Sequence, residues 1–284
     1  MQVRIYSHLH KTKKRKTTMN IQKHILITTL ILITSNAIAE DLPTGEQIAK
    51  NINARNEGIS LSSKMQMVLT DKRGKQRIRE TVSYRKYFGD EKRTVIHYLT
   101  PRNIKKTAFL TFDYPEAEKD DDQWLYLPAM RKVRRISASD RGDYFLGTDF
   151  TYEDIKKESK VTLEDYTRKT LREEDLNGSF TYVIEAIPVN DEVAEELGYG
   201  KVIQWIDKNI WMARKSEFYD VRGKPLKTIY TENIKKVDGI WTAHRLKVDN
   251  HKTNHKTLFI FSDVIYDKEV RDDFFTQRAL RRGL

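Results

Sequence analysis

The chain has no cysteine among its 284 residues. That excludes disulfide staples, thiolate nucleophiles and cysteine-bearing metal sites, and it leaves no residue for lipid attachment behind a leader. Histidine is scarce once the amino-terminal segment is set aside: only His97, His244, His251 and His255 remain. His251 and His255 stand four apart, but within the polar stretch Asp249–Lys256 rather than on a helix, so a solvated turn is expected and not a metal site. No serine sits in a Gly-x-Ser-x-Gly setting, and no glycine-rich phosphate loop follows a strand. The acids Asp120, Asp121 and Asp122 are consecutive and cannot converge as a glycosidase pair does. The whole acidic run Glu116–Asp122 reads as a solvated loop. These gaps argue against an enzyme and against a bound cofactor or metal.

Long apolar runs are also missing. The longest, Ile25–Ile33, is too short to span a bilayer; it follows the short basic stretch Asn20–Lys23 and precedes Ala37-Ile38-Ala39. Residues 1–39 are therefore expected to be an amino-terminal extension and a secretory signal peptide cleaved after Ala39, with 40–284 as one domain. The residues before Met19, Lys11–Lys16 among them, read as an upstream extension or a lengthened basic region. Setting the leader's seven Lys and Arg aside lowers the formal net charge from +11 to +4. So mild an excess is no nucleic-acid signature. The exported product is expected to be soluble in the periplasm of a two-membrane bacterium.

What is present is mostly β-patterned. Thr44-Gly45-Glu46-Gln47 has the form of a capping box for a helix with Ile48 and Ile52 on one face, ended by Gly58. Its thin apolar stripe suits a sheet edge. Leu61, Met65, Met67 and Leu69 then alternate with polar residues, and short turns at Asp71–Lys75 and Gly89–Asp90 lead into further strands. Ala108, Leu110, Phe112 and Tyr114 share one face. Later turns fall at Leu176–Ser179, Asp207–Asn209, Arg222–Lys224 and Val237–Gly239. Asp191–Leu197 reads as a short helix, and Arg271–Arg281 as a last one capped by Asp272 or Asp273. About ten or eleven antiparallel strands with few helices predict a mainly β (α+β) meander curled into an incomplete barrel.

The central stretch is the most informative. Trp124–Pro128 is a strand and turn, and Arg131–Ile136 is a cationic strand. It places Arg131, Val133 and Arg135 on one face and Lys132, Arg134 and Ile136 on the other. At least one of Arg131, Arg134 and Arg135 must then meet a carboxylate, a ligand headgroup or the rim of an opening. Asp140, Asp143, Asp149 and Asp154 in the next loop are the nearest candidates. That loop carries Tyr144, Phe145, Leu146, Phe150 and Tyr152, too apolar to lie in water, with Gly142 and Gly147 where it must bend. It either plugs a cavity or packs as core.

These segments resemble a known family. Trp124-Leu125-Tyr126-Leu127-Pro128, Arg131-Lys132-Val133-Arg134-Arg135-Ile136 and Phe145–Asp154 are similar to the outer-membrane lipoprotein-sorting family of LolA-like proteins. Phe218–Lys224, Asp238–Trp241 and Phe274–Arg282 extend the resemblance over nearly all of the exported chain, which looks like the branch associated with RND-type exporters. The resemblance implies an unclosed, strongly curved antiparallel β-barrel with helices and a loop lid on its concave face. It also implies a periplasmic carrier of a lipid or lipoprotein acyl chain. Met65, Met67, Leu110, Phe112, Trp124, Tyr126, Phe145, Leu146 and Phe150 are the expected cavity and lid residues. Arg131, Arg134 and Arg135 are the expected headgroup or partner contacts, and Asp149 and Asp154 the acids that pin the lid. The alternative is an accessory module that docks on an RND-type inner-membrane exporter and carries nothing.

Overall fold

Tight turns dictate the topology. In the computed structural model, which describes residues 41–116, 119–158 and 160–283, β1 (Ser60–Thr70), β2 (Gln76–Phe88), β3 (Glu91–Thr100), β4 (Ala108–Asp113), β5 (Asp122–Leu127) and β6 (Lys132–Ile136) follow one another as antiparallel neighbours. The leader expected over residues 1–39 lies outside the described residues. After β6 the chain leaves the sheet, and residues 137–165 carry it to the far edge. From there β7 (Tyr166–Leu176), β8 (Ser179–Pro188), β9 (Lys201–Asp207), β10 (Ala213–Tyr219), β11 (Pro225–Val237), β12 (Ile240–Asn250) and β13 (Lys256–Tyr266) return strand by strand until β13 pairs with β1. The edges β6 and β7 do not pair, so the strongly curved sheet stays open. Its thirteen strands exceed the ten or eleven expected, and even the short strands β4, β5 and β6 each have a ladder partner.

Two of the hairpin turns use the same device. The tripeptide Arg-Gly-Lys follows an aspartate at both: the Asp71 carboxylate accepts the amides of Arg73 and Lys75, and Asp220 accepts those of Arg222 and Lys224. Such Asx-type bonds fix the turn locally and set the register of the strands that flank it.

Strand alternation sorts side chains onto two faces. One face carries Met65, Met67, Tyr98, Phe109, Leu125 and Phe259, and the aromatics of the crossing segment pack onto it. The other carries Ala108, Leu110, Phe112, Trp124, Tyr126 and Val133. That face is covered by the carboxy-terminal segment, where Phe275 stands edge-on to Phe88 at 5.6 Å and Phe274 lies 5.1 Å from Tyr84. The single helix expected from Arg271 is instead a 3₁₀ turn, Asp272–Phe274, and a helix at Gln277–Arg282 capped by Thr276. Asp273 does not cap because Arg271 and Arg282 occupy its carboxylate. The terminal helix therefore lies on the outer face and not with a lid inside.

The first helix, α1 (Gly45–Asn53), starts on the expected capping box, with Thr44 and Gln47 bonded reciprocally at 2.8 and 3.2 Å. It stops at Asn53, five residues before Gly58, and seats Ile48 and Ile52 against Ile184 and Ile206 near the β7 edge.

Candidate functional site

The crossing segment, residues 137–165, is built in two parts. Its first part folds back on itself: the Phe145 amide donates to the Phe150 carbonyl at 2.8 Å, and the Tyr152 amide to the Asp143 carbonyl at 3.0 Å. Gly142 is required by contact, since a Cβ there would stand 2.5 Å from the Glu196 carbonyl oxygen. At the tip Leu146 takes φ 49° and Gly147 φ 75°. The second part is a short helix, α2 (Tyr152–Lys157), in which Thr151 and Asp154 form a reciprocal cap at 2.8 and 3.1 Å. This helix was not expected. Its signal was legible in Thr151-Tyr152-Glu153-Asp154: a capping pair, acids in the first turn and lysines in the last.

Both parts are anchored through buried polar groups. The Asp149 carboxylate accepts from His255 Nδ1 and Thr257 Oγ1 at 2.7 Å each, and from Asn250 Nδ2 at 3.0 Å. Lys227 is fully buried; its ammonium donates to Asp154 at 2.5 Å and to the Asp149 carbonyl at 2.9 Å. Tyr199 adds its hydroxyl to Asp154 at 3.2 Å. On α2, Lys157 meets Asp113 at 2.7 Å and Lys156 meets Asp121. Burial alone would raise the Asp113 carboxyl, but Lys92 and Lys157 outweigh it and lower it to about 2. Two expectations are corrected here. His255 is not in a solvated turn, because its ring is drawn onto Asp149. The acidic run is not merely solvated either, because Asp121 grips α2 and Asp122 pairs with Arg135 at 2.6 Å.

Beyond the tip, the roof and the sheet part company. A cavity of about 330 Å³ opens between them, walled by ten of the thirteen strands, from β3 round to β7, which makes this face the concave one. That volume sits at the low end of small-molecule sites, roughly 300–1,000 Å³. Its apolar wall includes Ile52, Met65, Ile96, Phe150, Ile155, Met212, Phe259 and Phe261. The hollow exists because many of the inward positions here are small: Ser63, Ser83, Thr94, Ala186, Ser216 and Thr231 line it. Ser63 and Ser83 face each other and satisfy their hydroxyls mutually at 2.9 Å. These residues were not picked out from the sequence, since a serine in a strand reads as solvent-facing until its register is known.

The expected cavity residues are distributed unevenly. Met65 and Phe150 line the hollow. Met67 and Phe145 lie under the tip in solid core, where Tyr98 donates to the Met67 sulfur at 3.6 Å. Leu146 packs against the same core, and its carbonyl accepts from Arg79 at 2.7 Å. Leu110, Phe112, Trp124 and Tyr126 point the other way, onto the terminal helix side. The pattern of alternation was right, but which face was inner depended on the register with β3. Of the three arginines, Arg134 and Arg135 are mostly exposed on the edge strand β6, paired with Asp140 and Asp122. Arg131 lies in the preceding turn at φ 50° and is also exposed. Charge on both faces of β6 is tolerated because an edge strand is open to water.

At one end of the cavity, cations gather around Glu57. Arg55 lies 3.3 Å from its carboxylate, Arg85 3.2 Å and Lys160 3.8 Å, and Tyr87 donates to it at 3.1 Å. Arg85 also reaches Glu158 at 3.7 Å. Burial lowers Arg55 and Lys160 despite the pull of Glu57, whereas Glu158 and Glu57 together overcome burial and raise Arg85. No trio of His, Cys, Asp or Glu among the described residues is arranged to hold a metal ion. No helix among them is long and apolar enough to cross a membrane.

Comparison with known proteins agrees with this architecture. A family described as an uncharacterized protein matches over residues 90–282. No protein of curated function matches. An outer membrane lipoprotein-sorting protein domain from Vibrio parahaemolyticus is 33% identical, with a TM-score of 0.75 over 84% of this chain and 98% of its own. A DUF1329 family protein from Desulfovibrio piger is 27% identical, with a TM-score of 0.76 over 83% and 97%. A LolA superfamily protein from Nitrosomonas europaea shares the fold at 21% identity, with a TM-score of 0.63 over 84% and 99%.

Proposed function

Because the chain belongs to the outer-membrane lipoprotein-sorting family of LolA-like proteins, we propose that it is a non-enzymatic periplasmic carrier. In this reading it shelters the acyl chain of a lipid or lipoprotein and passes it between the inner and outer membranes. The observation that carries the reading is the hollow of about 330 Å³ between the curved sheet and the crossing segment, with its apolar wall. Each methylene buried there contributes about 0.8 kcal/mol, so chain length supplies affinity without a specific polar contact. Asp149 and Asp154 hold the roof down, and loading requires it to lift. Delivery works only if the loaded and empty states differ by a few kcal/mol, so that a partner can tip the balance. Lipid extraction and mass spectrometry of the purified protein test this. A co-purifying acyl lipid, or saturable uptake of a fluorescent fatty acid, is expected; neither appearing would end the carrier reading.

A second reading is favoured by the open edge of the sheet, where Arg134 and Arg135 remain 67% and 62% exposed despite their ion pairs. Here Arg131, Arg134 and Arg135 dock on an acidic surface of an RND-type inner-membrane exporter. Reversing their charge is then expected to abolish docking in a pull-down while leaving fatty-acid uptake intact.

A further inference from the structure

The cations at one end of the cavity outnumber the acids that meet them. Arg55, Arg85 and Lys160 face Glu57 and Glu158, and the side chains of Arg55, Arg85 and Glu57 are all under a tenth exposed. Nearby Lys92 is committed to Asp113 at 3.3 Å, and Tyr87 and Tyr266 add only hydroxyls. A buried cation without a full counter-charge is expensive to hold. Such an imbalance is best tolerated where another group can supply the missing charge.

The hydrogen-bond geometry points the same way. Arg85 spends its terminal nitrogens on Glu57, on the Glu57 carbonyl and on Glu158, yet its Nε is buried with no acceptor. Arg168, on the edge strand β7 of the cavity lining with a side chain only 2% exposed, likewise has a buried Nε without a partner. Two guanidinium groups of the cavity lining thus each keep one nitrogen that no protein acceptor meets. A buried donor without an acceptor marks a guanidinium that is not fully satisfied by the protein.

We propose that this end of the cavity is a headgroup subsite for a singly acylated, anionic amphiphile, whose carboxylate or phosphate is held by Arg55, Arg85 and Lys160 while its chain runs toward Met65 and Phe261. This rests on the carrier reading and narrows its cargo class. One excess cation matches one negative charge, and the modest volume suits one chain rather than several. Glu57 sets the limit: it already shares the three cations, so a neutral or cationic head has nothing to replace.

The test compares amphiphiles of equal chain length on the purified protein: dodecanoate, dodecyl phosphate, dodecanol and dodecyltrimethylammonium. Isothermal titration calorimetry gives the affinities, and Trp241, which is 39% exposed and lines the cavity, offers a fluorescence signal. Dodecanoate or dodecyl phosphate is expected to bind at least tenfold tighter than dodecanol, and the tighter of the two tells a fatty acid from a phospholipid-type source. Lys160→Gln and Arg55→Gln are expected to shrink that preference at least fivefold while dodecanol binding stays unchanged. Arg85→Gln risks misfolding, so Lys160, the least buried of the three, carries the test. Equal affinity for dodecanol and both anions overturns the subsite but leaves the carrier standing. So does a Lys160→Gln variant that weakens every amphiphile alike. Failure of all four to bind overturns both.

Discussion

The crossing segment roofs two stretches of one concave face, and the two are built on opposite principles. Under its tip the space is solid: Phe145 packs 5.0 Å from Phe109 and edge-on to Tyr152 at 5.5 Å, and Phe150 stacks on Phe259 at 4.4 Å. Under α2 and the residues after it the space is hollow, floored by serines, threonines and an alanine. The solid end is held by ring contact together with the buried bonds to Asp149. The hollow end adds charge to the packing of Tyr152 and Ile155: Lys156 and Lys157 on Asp113 and Asp121, and Lys227 on Asp154. A roof bonded at points rather than across an area can lift from what it covers without tearing a core apart. The aromatic tip is the more firmly packed end of the segment.

The sharpest way to break the comparison is to empty the solid end. Phe145→Ala removes a fully buried ring and is expected to cost about 4 kcal/mol in urea unfolding. A loss under about 1 kcal/mol would mean that the tip is as loosely held as the hollow. Acid should act on the other end. Asp113 is depressed to about 2 in the fold against 3.8 in the free side chain. A depressed carboxyl stabilises the fold above its unfolded value, and the contribution drains away as pH falls from about 4 toward 2, a loss on the order of 2 kcal/mol. Amide exchange across α2 is expected to accelerate over that window before exchange at Phe145 does, and Asp113→Asn is expected to flatten the dependence. The smallest effect discriminates most finely. Ala108→Leu, under the terminal segment, should overpack and cost about 1–3 kcal/mol. Ala186→Leu, facing the hollow, should cost under about 1 kcal/mol by the same measure while cutting fatty-acid uptake.

The sequence made some of this plain and hid the rest for identifiable reasons. Strand runs, hairpin turns and the α1 cap depend on neighbours in the chain, and local chemistry declared them. That Asp149 and Asp154 would find partners could be argued from their place in an apolar loop. Lys227 and His255 could not be named as those partners, because each lies more than seventy residues away, Lys227 on β11 and His255 just before β13, where only the register of the sheet places them. The small residues of the hollow are ordinary strand residues one at a time; they form a floor only when adjacent strands bring them side by side. Leu110, Phe112, Trp124 and Tyr126 share one apolar face, and it is the outer one rather than the cavity's. An apolar face says that it is covered, and the cover here is the carboxy-terminal segment.

The ladder between β1 and β13 joins the earliest strand of the sheet to the latest, with Met67 opposite Phe259. Every other neighbouring pair is made by strands that follow each other along the chain, so this one seam closes the largest loop in the molecule. Contacts of such wide sequence separation slow folding, because chain entropy is lost before they reward it. The two meanders on either side can form early, but neither can curl over a hollow until Lys256–Tyr266 has arrived. The hollow is therefore complete only once the last strand of the sheet is in place.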